Sequence, residues 1–242
     1  MSKVLDKIIS IKNPKSPIAE AYRGIRTSIE FSNLDKDLKV INVTSSMQNE
    51  GKSTVLANLA VSFANLDKKV LIMEGDLRNP SVHRMFNISN IKGLTDILLQ
   101  NKVFADCVHC TDVKNLHVLT CGAIPPNPSE MLSSKKIRDF IKSLREYYDY
   151  IFIDAPPIGI VTDAGIISTF TDGCIFVVGA GDADIEMAKV SKERLEKVGA
   201  NILGVVLNKF EAEGSSYNYY NYYYEQSNSR KARNKKKATA IG

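Results

Sequence analysis

After Lys39 the sequence falls into short runs that are apolar almost throughout, separated by longer stretches with apolar residues at helical spacing. The runs are Val40–Thr44, Val70–Glu74, Leu116–Cys121, Tyr150–Asp154, Cys174–Gly179 and Ile202–Asn208. A strand with one face in water alternates apolar and polar residues, whereas one covered on both faces does not. Between the runs, Lys52–Leu66 sets Val55, Leu56, Leu59, Phe63 and Leu66 on one side of a helix, and Ser133–Tyr147 and Asp184–Val198 read as further helices. Strand, helix, strand at this spacing predicts an α/β fold, a doubly wound, mostly parallel sheet with helices on both faces. Asn127-Pro-Ser-Glu130 has the form of a helix start, with Asn as N-cap, Pro in the first turn and Glu at the third position.

Two segments flank this core. Ser16–Phe31 carries Ile18, Tyr22, Ile25 and Ile29 at helical spacing, so residues 16–32 are expected to form an N-terminal helix. After Phe210 the chain is polar, rich in Tyr, Asn and Ser, and then basic. With Ile241 its only large aliphatic residue it has too little to bury, and residues 211–242 are expected to be a mobile tail on a single domain of residues 1–210.

Composition removes several function classes. No apolar run approaches the roughly 20 residues of a membrane helix, and Met1–Ser16 lacks the apolar core of a secretory signal. A cytoplasmic location is expected. The formal charge of +5 is not a nucleic-acid signature, because six basic residues and no acidic one fall between Ser227 and Gly242. Without them 26 basic residues face 27 acidic ones, and the body is neutral. Cys107-Val-His-Cys110, with His117 and Cys121, has zinc-ligating residue types but no second Cys-x-x-Cys pair. The four cysteines are therefore read as reduced thiols.

The chemistry concentrates where Val40–Thr44 runs into Ser45-Ser-Met-Gln-Asn-Glu-Gly-Lys-Ser-Thr54. A buried strand, a loop ending Gly51-Lys52-Ser53 and a helix starting there are the context of a phosphate-binding loop. Backbone N–H groups surround the phosphates, Lys52 adds charge near the β and γ oxygens, and the Ser53 hydroxyl holds Mg²⁺. Ser46 stands where the usual first glycine would be. Tyr150-Ile-Phe-Ile-Asp154 is a strand ending in a carboxylate, the form of a Walker B element, and Ala155-Pro-Pro157 stops it sharply. Val70-Leu-Ile-Met73 ends in Glu74-Gly-Asp76-Leu-Arg78 and adds two carboxylates at the same end of the sheet. A lone carboxylate at a strand end is more often a cap; three beside a phosphate loop point to Mg-nucleotide chemistry.

Near the C-terminus, Tyr217, Tyr219, Tyr220, Tyr222, Tyr223 and Tyr224 account for six of the chain's 10 tyrosines. Composition alone makes them a low-complexity tail; beside a phosphoryl-transfer site they are also candidate acceptors. A tyrosine hydroxyl titrates near pH 10, so as a nucleophile it needs a carboxylate to orient it and take its proton. Glu74 and Asp76 are the candidates for that role.

Taken in order, Thr44–Thr54, Glu74-Gly-Asp-Leu-Arg-Asn-Pro80, Pro125-Pro-Asn-Pro-Ser-Glu130 and Ile151-Phe-Ile-Asp-Ala-Pro-Pro157 resemble the motifs of the bacterial protein-tyrosine kinases. Glu20-Ala-Tyr-Arg23-Gly-Ile-Arg26 and the tyrosine cluster extend the resemblance over nearly the whole chain. It implies a P-loop NTPase that uses ATP and Mg²⁺ and regulates capsule and exopolysaccharide synthesis. Lys52, Glu74, Asp76 and Asp154 would be catalytic, with Ser53, Asp76 and Asp154 as the metal residues. Asn49, Glu50, Gly51, Lys52, Ser53, Thr54, Arg78 and Asn208 would bind nucleotide, Asn208 either contacting adenine or simply ending its strand. The tyrosine cluster would be the autophosphorylation substrate.

Glu20, Arg23 and Arg26 match the family's E-x-x-R-x-x-R element, which the resemblance makes a subunit contact in a ring-shaped oligomer; an intrahelical Glu–Arg pair explains Glu20 and Arg23 as well. The resemblance also implies a separate membrane adaptor, whose cytoplasmic segment would recruit the kinase to the inner face of the plasma membrane. Other tyrosine-bearing proteins would be further substrates, and no nucleic acid is expected as partner. One departure stands out: the family's Asp-x-Asp-x-Arg motif begins here with Glu74, while Asp76 matches. Two alternatives remain, a partition- or septum-placement-type ATPase switch and a catalytically weak scaffold. The former carries a lysine five residues before the loop lysine, where this chain has Met47.

Overall fold

In the computed structural model, which describes residues 8–33, 37–181 and 183–210, each of the six apolar runs contains a strand. The strands are β1 (Val40–Ser45), β2 (Val70–Glu74), β3 (Val108–Cys110), β4 (Leu116–Leu119), β5 (Tyr150–Asp154), β6 (Gly173–Gly179) and β7 (Ile202–Asn208). They form one sheet in the order β3-β4-β2-β5-β1-β6-β7. Every pairing is parallel except that of β3 with β4.

Successive side chains of a strand point to opposite faces, and here each face has its own core. Ile41, Val43, Val70, Ile72, Phe152, Ile175 and Val177 face α1 (Ile9–Lys12), α2 (Pro17–Ser32), α3 (Lys52–Ala64) and α4 (Val82–Phe86). Val40, Leu71, Met73, Ile151, Ile153, Cys174 and Phe176 face the other layer. That layer comprises α5 (Leu94–Gln100), α6 (Pro128–Ser133), α7 (Lys135–Leu144), α8 (Asp163–Ser168) and α9 (Ile185–Lys197). Two covered faces explain why the central strands need no polar alternation.

Three departures from the sequence expectations have local causes. The helix expected over Ser133–Tyr147 is α7, shorter at both ends and separate from α6, because Ser134 is extended (φ −65°, ψ 153°) and serves as C-cap of α6 and N-cap of α7. Its hydroxyl donates to the Met131 carbonyl at 2.7 Å and accepts from the Ile137 N–H at 3.4 Å. β4 stops at Leu119 rather than Cys121, since the carbonyls of Thr120 and Cys121 accept from the N–H groups of Leu94 and Thr95, at the start of α5. The edge strand β3 is only three residues long and partly exposed, so it carries no apolar signature. Among the described residues no helix is long and apolar enough to cross a membrane.

The order β2-β5-β1 brings three chain segments to one edge. The loop after β1 opens at the carboxyl end of the sheet, β5 ends beside it, and the final residues of β2 and β5 are register partners, Glu74 with Asp154. This is where ligands bind in open α/β sheets.

Candidate functional site

The loop between β1 and α3 is built around a buried carboxylate. Ser46 donates its hydroxyl to both oxygens of Glu50 at 2.8 Å. Glu50 also accepts from the Met47 N–H at 2.7 Å and from the Gly179 N–H at 3.4 Å. The residue that replaces the usual glycine is therefore a partner of Glu50, and Glu50 turns inward, only 2% exposed. Gly51 has φ +92°, and a Cβ there would stand 2.0 Å from Asn208 Nδ2. The same nitrogen donates to the Glu50 carbonyl at 2.9 Å, tying the loop to the end of β7. Gly51 is the N-cap of α3 and makes no side-chain cap. The first N–H groups of the helix consequently remain available to an anion.

Lys52 and Ser53 open α3 and meet the carboxylate that ends β5. The Ser53 hydroxyl donates to Asp154 Oδ2 at 2.5 Å, and Lys52 Nζ lies 3.2 Å from Asp154 Oδ1 and 3.6 Å from Asp76 Oδ2. Asp154 is fully buried and Asp76 is 5% exposed. Burial alone would lower the Lys52 pKa, but Asp154, Asp76 and Glu74 outweigh it and the net shift is upward. Burial raises the Asp154 carboxyl against the opposing pull of Lys52 and Ser53. Glu74 is pushed up to about 8, by burial first and by the Asp154 charge second.

An open cleft of about 760 Å³ lies over this cluster. Of the residues expected from sequence, Asn49, Gly51, Lys52, Ser53, Thr54, Asp76 and Asn208 line it. Asp154 sits beneath them in contact with Lys52 and Ser53. Glu74 points elsewhere: its Oε2 accepts from the N–H groups of Ser81 (2.7 Å) and Val82 (2.9 Å), and its Oε1 from that of Asp76 (3.2 Å). Arg78 is also engaged away from the cleft, forked on buried Asp163 at 2.8 and 3.2 Å and bonded to Ser129 at 2.8 Å. Asn79, Ser81 and Arg84 line the cleft without having been named as site residues; Asn79 falls within the Glu74–Pro80 motif, whereas no residue pattern marks Ser81 and Arg84.

On α2, Arg23 donates from Nε to Glu20 at 2.6 Å and from Nη1 to the Pro14 carbonyl at 2.8 Å. Arg26 reaches inward to the Ser62 carbonyl at 2.8 Å, so one of the three residues fastens α2 to the last turn of α3. The tyrosines from Tyr217 to Tyr224 lie outside the described residues. The cysteine and histidine group is not gathered into a metal site: Cys107 and Cys121 are buried, Cys110 is exposed, and His117 Nδ1 pairs with the Tyr148 hydroxyl at 2.8 Å. Among the described residues no cluster of three or more His, Cys, Asp or Glu is arranged to hold a metal. The oxygen set at the loop is of another kind, a hydroxyl and two carboxylates beside a phosphate-binding backbone. Such hard donors fit Mg²⁺ shared with phosphate.

The chain resembles known proteins over most of its length. Residues 38–242 match the family described as ParA, NUBPL iron-transfer P-loop NTPase. Tyrosine-protein kinase YwqD of Bacillus subtilis (strain 168) is 41% identical over 220 residues, covering 90% of this chain and 93% of that one. The crystal structure of the chimerical protein CapA2B2 superposes with a TM-score of 0.83 at 40% identity, over 86% of this chain and 91% of that one. The septum site-determining protein MinD of Pyrococcus horikoshii, complexed with Mg-ADP, is less similar. Its TM-score is 0.62 at 28% identity, over 73% of this chain and 72% of that one.

Proposed function

The chain belongs to the bacterial tyrosine-protein kinases of the P-loop NTPase fold, and from that premise we propose that it transfers the γ-phosphoryl group of ATP to the tyrosines of its own C-terminal cluster. The observation that carries this reading is the convergence of Ser53, Asp154 and Asp76 on the Lys52 ammonium, with oxygens 3.4, 3.2 and 3.6 Å from Nζ at the mouth of the sheet. A P-loop element of this kind positions phosphates and spreads their charge.

In the reaction a tyrosine oxygen forms a bond to the γ-phosphorus, and the bond from that phosphorus to the β–γ bridging oxygen breaks, leaving ADP. The phenolic proton needs an acceptor on the cleft side, and Asp76 is the carboxylate that both lines the cleft and contacts Lys52. Glu74, with its oxygens on backbone N–H groups, is assigned to holding the following loop rather than to taking the proton. Lys52 offsets the charge on the transferring phosphoryl group, and the N–H groups at the start of α3 hold the phosphates. Mg²⁺, when bound, neutralises phosphate charge and orients the oxygens; Ser53, Asp76 and Asp154 are the residues proposed to hold it. Asn208 is proposed at the nucleoside end of the cleft. Glu50 supports the loop from beneath, and Arg78 braces α8.

The wider setting is proposed on the same premise. The kinase serves capsular or extracellular polysaccharide synthesis, docks on the cytoplasmic segment of a membrane adaptor at the inner face of the plasma membrane, and forms a ring. Glu20 and Arg23, the more exposed pair on α2, are proposed as its subunit contact, while Arg26 is spent within the chain. Against the switch-type ATPase stand Met47 in place of that group's lysine and the tyrosine-kinase relative matched over 90% of the chain.

The test is to incubate the full chain with Mg-ATP, with and without the adaptor's cytoplasmic segment, and to map phosphate by mass spectrometry. Phosphate on Tyr217–Tyr224 in the parent, and none in Lys52→Met, is the expected result. Modification confined to other tyrosines, such as exposed Tyr147, overturns the assignment of the tail as substrate.

A further inference from the structure

Ser81 precedes α4 at the N-cap position, where a serine ordinarily bonds the exposed N–H groups of the first turn. It does not do so here. The Glu74 carboxylate instead holds the backbone just ahead of the helix, accepting from the N–H groups of Ser81 and Val82 at 2.7 and 2.9 Å. The serine hydroxyl is turned to the cleft. It lies 3.1 Å from Ser53 Oγ and 3.5 Å from Asp154 Oδ2.

We propose that Ser81 is a positioning residue of the Mg-nucleotide site, its backbone held in place by the side chain of Glu74. This rests on the reading of Ser53 and Asp154 as metal residues and places a hydroxyl against both of them. Ser53 donates its hydrogen bond to Asp154, so its lone pairs are left to accept from the Ser81 hydroxyl. When a cation takes a lone pair of Ser53, the second acceptor within reach of Ser81 is Asp154 Oδ2. Either way Ser81 restrains a residue that faces the metal rather than facing it alone, and partners of this kind tune metal affinity strongly. The longer side chain at position 74 belongs to the same device, because its terminal oxygens are the ones that reach two residues of the loop.

The test measures Mg²⁺ affinity rather than turnover. Binding of a fluorescent ADP analogue to the full chain is titrated with Mg²⁺ for the parent, Ser81→Ala, Ser81→Thr and Ser53→Ala. Ser81→Ala is expected to raise the Mg²⁺ concentration for half-maximal binding roughly 10-fold, with binding in EDTA unchanged, and Ser81→Thr to restore the parent value. Glu74→Gln is expected to shift the same midpoint in the same direction. An unchanged midpoint in Ser81→Ala, with Ser53→Ala strongly shifted, overturns the role of Ser81 and leaves the metal assignment standing. If Ser53→Ala leaves the midpoint unchanged as well, the metal assignment itself is wrong, and the role of Ser81 falls with it.

Discussion

Glu74 is a carboxylate at a strand mouth whose oxygens are spent on the backbone of the following loop rather than on the cleft. Its position in the sequence suggests a catalytic carboxylate, and only the geometry shows that both oxygens are committed to backbone N–H groups. The same burial makes it a source of pH dependence. Free in an unfolded chain it titrates near 4.5; in the fold it titrates at about 8. The folded state therefore binds this proton more tightly, and the stabilisation is complete below the unfolded value and lost as pH rises through the folded one. The nucleotide-free protein is expected to lose stability between about pH 5 and pH 8. Urea midpoints measured across that range should fall for the parent and change less steeply for Glu74→Gln; equal slopes would show that another group is responsible. Arg26 teaches a related lesson. It sits in an E-x-x-R-x-x-R pattern, but its guanidinium satisfies a carbonyl in the last turn of α3, a contact between elements 36 residues apart that no local pattern encodes.

The elements that sequence reveals are those whose pattern arises from burial. β2 and β5, buried throughout, begin and end where their apolar runs do; so does the edge strand β7, although it is only partly covered, and α2, α3 and α9 lie within a few residues of the expected spans. Elements specified by a few contacts, such as β3 and the short helices α4, α5 and α8, leave no comparable trace. The phosphate loop divides the same way. Gly51-Lys52-Ser53 is legible because the chemistry needs those residues at that spacing, whereas the use of Ser46 is not, since it depends on where Glu50 turns. The absent first glycine looks like a weakness of the motif but is part of its support. Ser46→Gly, which restores the usual motif, removes a hydroxyl donor from a buried carboxylate and is expected to cost about 1–3 kcal/mol of stability. Chemical denaturation reads this directly. A variant as stable as the parent would show that the Ser46–Glu50 contact contributes nothing net.

For the whole molecule, one sheet edge collects a phosphate loop, a metal-type carboxylate and a cleft-lining carboxylate from three separate strands. The tyrosines lie further along the chain, the first of them seven residues past Phe210. The basic stretch after them, Arg230–Lys237, supplies the positive net charge, and each phosphate added nearby would bring about −1.5 to −2 charges. The central proposal is phosphorylation of the tyrosine cluster, which in the proposed ring would pass from the Lys52 site of one subunit to the tail of another. It is tested most directly by mixing two full-length chains of distinguishable isotope composition with Mg-ATP and the adaptor segment. One carries Lys52→Met and an intact tail; the other has an intact site and phenylalanine at all six positions of the cluster. Phosphate is predicted on Tyr217–Tyr224 of the Lys52→Met chain. If those tyrosines stay unmodified in the mixture while the parent protein phosphorylates its own cluster, transfer between subunits is contradicted.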